Sequence, residues 1–448
     1  MKNKKTIFLL ILLIIILFLT VNGKKKNLNK DINITVDLNN VINNVPKNMF
    51  GFNYWMWVPS WNNMVFDTEE LIKPLNIKLL RFGGINNDVD YPDPVDEDAI
   101  NNFLDYCQAI GAEPVVQLPV ARYKNNEERL ERAYKMIEII MKKTKLKYVS
   151  IGNEPDIYDQ VLANDSNYKV YYLKGYSVDQ YIKDFNIIAN ALKAKYKDLK
   201  IIGLDLSHKE EWISKFVKNC KDNLDYLSVH YYPFSASQST YNNVKNNYKE
   251  IEEFYGRIIK TLKDNADGKS IPLIIGETNS CWEGDPKLAN KDASMGTFNA
   301  GLWIADMIGI TTAQKEVYSI MPWSIREGWN NGFLDANKDP RPVYYIYKMF
   351  SSFNLSQLIL FKKVNDNLRI YGYKNNKNEP VIYIVNWDNK NPQVIHFNFN
   401  ESLKNLKFDY ECIPSSLTCI KISNDGKIKT AYVYSEKDKN NGIKESVF

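Results

Sequence analysis

At 448 residues the chain is too long for one small domain and suits a large domain with a companion. Its 44% hydrophobic residues can bury a full core, and its 25% charged residues do not make a disordered composition. A net charge of +5, from 58 basic and 53 acidic side chains, lacks the concentrated basic surplus of a nucleic-acid binder. Five cysteines without a CxxC pair exclude a disulfide scaffold, and three scattered histidines give no zinc spacing, so no metal and no cofactor are expected.

The amino terminus is basic through Lys5, and residues 7–21 form an apolar run interrupted only by Thr20. That is signal-peptide length and short of the ~20 residues that span a bilayer comfortably. Val21 and Gly23 offer a cleavage site; an uncleaved anchor is the alternative. Either reading sets residues 1–26 apart from the fold and places the rest outside the cytoplasm, secreted or held at the cell surface. Any membrane contact is then confined to this segment.

Within residues 27–47, Ile32–Leu38 alternates like a strand and is expected to join a later sheet. From residue 48 to 353, short apolar runs alternate with amphipathic stretches. Strands are predicted at Phe50–Tyr54, Lys78–Phe82, Pro114–Leu118, Tyr148–Gly152, Lys200–Asp205, Asp225–Tyr231, Leu273–Glu277 and Val317–Trp323. The clearest helices between them are Glu97–Ile110, Glu127–Lys142, Val178–Lys195, Tyr241–Lys263 and Ala293–Ile308, with a last one from Pro342 to Phe353. Short, almost wholly apolar strands are those of a parallel sheet buried on both faces. Eight of them, each followed by a crossover, predict an α/β fold, a (β/α)8 barrel. Residues 354–435 change character: Asn367–Tyr373, Val381–Trp387, Val394–Asn398 and Tyr410–Ile422 read as an accessory antiparallel β-sandwich. Cys412 and Cys419 can bridge within a hairpin there. Residues 436–448 read as a loose polar tail.

In such barrels, functional groups project from the carboxyl ends of the strands. The fourth predicted strand ends in Gly152-Asn153-Glu154-Pro155 and the seventh in Gly276-Glu277-Thr278. Ends 4 and 7 face each other across the mouth of a ring of eight. Two facing carboxylates are what glycosidic cleavage needs, one protonated for the leaving oxygen and one ionised at the anomeric carbon. Glu154 and Glu277 are therefore the candidate catalytic pair.

These stretches resemble the retaining glycoside hydrolases of clan A. Within the clan, IGNEPD, the segment Gly276–Ser280 and the stretch from Phe298 to Trp303 are most similar to the heparanase and β-glucuronidase group, glycoside hydrolase family 79. The resemblance implies that Glu154 is the acid/base and Glu277 the nucleophile. It also implies that Asn153 bonds the sugar 2-hydroxyl. At the end of strand 6, alternation puts His230 and Tyr232 on one face, from which a tyrosine can donate to Glu277. Arg81, in RFGG at the end of strand 2, can support the same carboxylate. Tyr54, Trp55, Trp57, Trp282 and above all Trp323 are candidate platforms for a pyranose face; Gln117, Arg122 and Arg326 are further rim residues. The loop Cys281–Asp285 departs from the family's glycine-rich pattern, and its acidic side chains repel a uronate but suit a neutral sugar. The expected substrate is a polysaccharide or oligosaccharide. A β-glycanase, an arabinofuranosidase-like enzyme and a non-catalytic carbohydrate-binding protein are the alternatives.

Overall fold

The computed structural model describes residues 32–448 apart from 56–64, 66, 89–95, 160–172, 286–295, 329, 401–402 and 404–405. The expected signal or anchor at 1–26 and the candidate platform Trp57 lie outside the described residues.

Eight parallel strands stand side by side in sequence order. They are Gly51–Trp55, Leu79–Gly83, Glu113–Leu118, Tyr148–Ile151, Lys200–Leu206, Tyr226–Tyr231, Leu273–Thr278 and Val317–Pro322. The first and last are brought together by a parallel bridge between Phe50 and Ile320, so the sheet curls into a nearly closed barrel. Local sequence explains the crossovers. The helix Glu97–Ile110 begins because the Asp96 side chain accepts from the Ala99 amide, and it stops at Gly111 in the left-handed region. Pro342 opens the helix Pro342–Ser351, where its missing N–H leaves nothing unsatisfied. The predicted helix Tyr241–Lys263 is two helices, Tyr241–Asn246 and Tyr248–Asn265. Asn247 sits at the break, buried, and its side chain binds the Tyr231 hydroxyl and the Trp303 indole.

The second region packs a three-stranded sheet on a seven-stranded one. Ile32–Val36 lies parallel to Gln393–Phe399, which pairs antiparallel with Lys407–Cys412. The predicted strand Tyr410–Ile422 is divided: one strand ends at Cys412 and the next runs Ser416–Ile422. Pro414 and Ser415, the latter at φ 40°, turn the chain between them. The larger sheet is buried on both faces. Ile370, Ile382, Ile384 and Ile420 meet the small sheet, while Tyr371, Tyr373, Tyr383 and Cys419 belong to the core shared with the barrel. Alternation thus places Cys412 and Cys419 on opposite faces, and both are free thiols, so the question of a bridge left open by the sequence is answered in the negative. The tail is not loose either: Lys444–Val447 pairs antiparallel with Lys429–Ser435.

Asp306, on the barrel helix Phe298–Thr311, joins the two regions. Its carboxylate accepts from Arg369 Nε and Nη2 (2.8 and 2.6 Å), the Tyr371 hydroxyl (2.9 Å) and the Trp387 indole (2.8 Å).

Candidate active site

Inside the barrel the side chains form layers. Leu79, Val115, Tyr148, Ile202, Ile274 and Met321 make an apolar plug. Two residues further along the strands, on the same inward face, come Arg81, Gln117, Ser150, Ser228 and Gly276. All of these lie toward the carboxyl ends, where the polar side chains converge.

Two irregularities re-aim the alternation. Between the fifth and sixth strands Leu204 pairs with Ser228 and Leu206 with Val229, leaving Asp205 as an extra residue. Leu204 and Asp205 have φ of 136° and 44°, and the bulge turns the Asp205 carboxylate inward to Arg81. Between the sixth and seventh strands Val229 pairs with Ile275 but His230 with Glu277, skipping Gly276. Glu277, out of phase with Ile274 and Gly276 in a regular strand, thereby enters the site. Glu154 itself sits at φ 51°, ψ 52°, with its amide donating to the Asp205 carbonyl at 2.8 Å. A non-glycine residue held in the left-handed region is a mark of a functional turn.

The side chains converge as follows. Arg81 is fully buried; Nη1 donates to Glu277 Oε1 (2.8 Å), and Nη2 to Asn153 Oδ1 (2.7 Å) and Asp205 Oδ2 (3.2 Å). The Tyr232 hydroxyl donates to Glu277 Oε2 at 2.9 Å. His230 Nδ1 lies 2.8 Å from Glu154 Oε1 and 3.7 Å from Glu277 Oε2. One atom from each of Glu154, His230 and Glu277 falls within 4.8 Å of the others. Burial raises the Glu154 pKa, opposed by its bond to His230 and aided by the charge of Glu277. For His230, burial is outweighed by Glu277, Asp205 and Glu154, which hold its pKa up to about 10, so the ring is an imidazolium. Burial likewise opposes the Asp205 charge, but Arg81 and His230 together depress its pKa well below the carboxylate range.

Six of the expected residues therefore share one cluster: Glu154, Glu277, Asn153, Arg81, His230 and Tyr232. Trp323 follows the eighth strand, and its ring packs so closely over Gly84 that a Cβ there would lie 2.4 Å from it; Gly84 also has a φ of 104°. Tyr54 is a correction. It is 1% exposed and packs on Phe82, Phe103 and Tyr106, on the helix side of the first strand, because Asn53 takes the inward position. Trp282 is 56% exposed on the loop after the seventh strand. Gln117 accepts from the Gly84 amide, and Arg326 is held by the Asp335 carbonyl.

Residues 160–405 match the family described as Glycosyl hydrolases family 39. That match spans more than half of the chain. The chain belongs to glycosyl hydrolase family 39. This is a clan A family, so the clan read from GNEP and Glu277 stands, while the matched family is 39 where the motifs resemble family 79. The family 39 chain is a glycosidase, and its substrate is a carbohydrate. No curated protein matches the sequence. Solved structures share the fold at low identity. An α-L-arabinofuranosidase from Thermotoga maritima has a TM-score of 0.66 at 13% identity, covering 92% of this chain and 97% of that one. A family 44 xyloglucanase from Paenibacillus polymyxa has 0.63 at 12%, covering 86% and 98%. A 4-O-α-L-rhamnosyl-β-D-glucuronidase from Fusarium oxysporum has 0.64 at 13%, covering 90% and 98%.

Three acids of this glycosidase were not singled out in the sequence. Asp205 depends on a bulge. Asp88 is buried beneath the fourth strand end, where it accepts from the Ala121 amide (3.1 Å), the Asn153 amide and the Tyr158 hydroxyl, fixing the GNEP turn. Glu327 follows the eighth strand, buried, and accepts from Ser324 Oγ at 2.8 Å. Burial raises its pKa to about 7; bonds to Ser324 and Trp323 and the charge of Arg341 oppose this, and Glu277 adds to it. No local motif marks these residues; only a carboxylate near a strand end hints at any of them.

Proposed function

We propose that the protein is an exported, retaining glycosidase that cleaves O-glycosidic bonds of an oligosaccharide or polysaccharide by double displacement. Glu277 attacks the anomeric carbon while Glu154 gives its proton to the leaving oxygen. Glu154 then takes a proton from water, and the resulting nucleophile displaces Glu277. The observation that carries this reading is the spacing: an oxygen of each carboxylate lies within 4.8 Å of the other. That close approach is nearer the ~5–5.5 Å carboxyl separation of retention than the ~6.5–9.5 Å that inversion needs for a water. Arg81 and Tyr232 aim Glu277, and the raised pKa of Glu154 suits an acid that must arrive protonated. Export rests on the basic start and apolar run at residues 7–21.

Glu277→Gln is expected to abolish turnover with the fold intact, as read by circular dichroism and thermal unfolding. Wild-type turnover in that variant refutes the nucleophile assignment. The anomer first released, followed by proton NMR, reports retention directly.

A neutral sugar, as in an arabinofuranosidase-like enzyme, is the reading we favour over a uronate. Arg81 is already committed to Glu277, Asn153 and Asp205, and the loop after the nucleophile carries an acidic side chain, Glu283. A uronate carboxylate would find that guanidinium already paired and an acid on the neighbouring loop. A panel of para-nitrophenyl α-L-arabinofuranoside, β-D-glucoside and β-D-glucuronide, with xyloglucan beside it, separates the readings. The family 79-like motifs keep the glucuronide in that panel, and preferential cleavage of it overturns the neutral-sugar reading.

A further inference from the structure

The first half of the proposed reaction moves charge inside a buried cluster. Glu277 forms a bond to the anomeric carbon and loses its negative charge as the glycosidic C–O bond breaks. The Glu154 proton goes to the departing oxygen, and Glu154 acquires a negative charge. Arg81 is a cation in both states, and the carboxylates around His230 favour its imidazolium form. The anions are Asp205 with Glu277 before the step, and Asp205 with Glu154 after it. Within this set of five side chains two positive charges therefore face two negative ones before and after the step, and the balance depends on Asp205. Buried charge that is not matched is strongly disfavoured.

Geometry ties Asp205 to the acid/base. His230 Nε2 is 3.8 Å from Asp205 Oδ1, and Nδ1 is 2.8 Å from Glu154 Oε1. Nδ1 is hydrogen-bonded to Glu154, whereas Nε2 meets Asp205 at ion-pair distance, with no hydrogen-bond partner for Nε2 among the described residues, so Asp205 favours the imidazolium through its charge. Asp205 is braced from its other side by Arg81, at 3.2 Å, and is directed inward only by the bulge at Leu204 and Asp205. Non-glycine residues at positive φ are strained, so placing this carboxylate costs the fold stability. Gly276, the residue before the nucleophile, makes the approach possible. A Cβ there would press on Ser228 Oγ and lie 3.0 Å from Asp205 Oδ1 and 3.3 Å from His230 Nε2.

We propose that Asp205 is a positioning residue that acts on Glu154 through His230, holding the imidazolium against the acid/base and keeping the site neutral as negative charge passes from Glu277 to Glu154. The proposal rests on the double-displacement reading above. The ionisable groups facing Glu154 are His230, Glu277 and Asp156; those facing Asp205 are Arg81, His230 and Tyr181. Glu277 is faced in addition by Tyr232 and Glu327. Removing one buried anion from this set makes the proton of Glu154 easier to lose.

The test is the pH profile of kcat/KM for full-length Asp205→Asn and Asp205→Glu. The probe is the aryl glycoside of the panel that the wild type turns over fastest, as its dinitrophenyl, para-nitrophenyl and phenyl derivatives. In Asp205→Asn the basic limb should move down by about one pH unit or more. The rate should fall most for phenyl, which needs its proton, and least for dinitrophenyl; Asp205→Glu should restore the limb. His230→Gln removes a cation and should move the limb the opposite way, which keeps the test open if Asp205→Asn does not fold. A uniform loss at every pH, or a limb that stays in place in Asp205→Asn and His230→Gln alike, overturns the proposal. If Glu277→Gln keeps wild-type turnover it is the double-displacement reading that fails, so the two failures are told apart.

Discussion

Among the described residues two arginines, Arg81 and Arg369, are buried completely, and they are used in opposite ways. Arg369 serves the junction of barrel and sandwich. Nε and one terminal nitrogen clamp Asp306, and the remaining donors reach the Asp366 and Lys245 carbonyls at 3.1 and 3.2 Å. Tyr371 and Trp387 complete the same carboxylate, so one cation faces one anion with every guanidinium nitrogen hydrogen-bonded. Arg81 is shared between Glu277 and Asp205, and its Nε has no hydrogen-bond partner among the described residues. Two carboxylates on one guanidinium need a second cation, and His230 supplies it between the two glutamates. A closed pair can only hold; an open set of charges can pass a proton. The difference separates a structural weld from chemistry more clearly than burial does, since burial is the same at both.

The sharpest way to break this comparison is to remove each arginine in turn. Arg369→Met leaves Asp306 buried without its partner and should cost ~3–5 kcal/mol in unfolding free energy by denaturant titration. Turnover per folded molecule should be unchanged. Arg81→Met should lower kcat by about 10²-fold or more, because Glu277 loses the group that aims it. Equal losses of turnover in the two variants would erase the distinction.

Glu327 sharpens it further, as a carboxyl near Glu277 whose burial favours the neutral form. Its folded-state pKa is raised to about 7 from 4.5. The stability it contributes is therefore full below about pH 4.5 and is lost as the pH rises through about 7. Glu327→Gln should abolish that slope, on the order of 3 kcal/mol, seen as a smaller difference between denaturant midpoints at pH 4.5 and pH 8. An unaltered pH slope would show that the carboxyl does not titrate there. The smallest effect belongs to Tyr54→Phe. The hydroxyl is buried with no hydrogen-bond partner among the described residues, so its loss should change stability by less than about 1 kcal/mol and leave KM alone. A rise in KM would return Tyr54 to the sugar site.

Much of the site was legible because it rests on periodicity. The eight apolar runs predict the barrel, the barrel predicts which ends face each other, and alternation puts His230 and Tyr232 on one face. Arg81 follows from its place in RFGG at the end of the second strand. Tyr54 is a candidate only as an aromatic at the end of a strand, which does not fix the face it takes: Asn53, not Tyr54, faces inward and donates to the Gly276 carbonyl. Asp205 escaped because a bulge reverses the phase, and φ values of 136° and 44° at Leu204 and Asp205 leave no signature in Leu or Asp. Cys412 and Cys419 were judged by their separation along the chain, whereas the intervening turn and the pleat set them on opposite faces of the packed sheets.

The order of apolar and polar residues along this polymer is enough to specify strands, crossovers and the two glutamates behind glycine, because these follow from local backbone preference and from burying one face of each element. The charge balance is of another kind. Which acids share Arg81, which ring stands between Glu154 and Glu277, and which carboxylate stays ionised are settled only when distant segments close into the barrel, since electrostatic energy depends on separations in space and on excluded water rather than on neighbours in the chain.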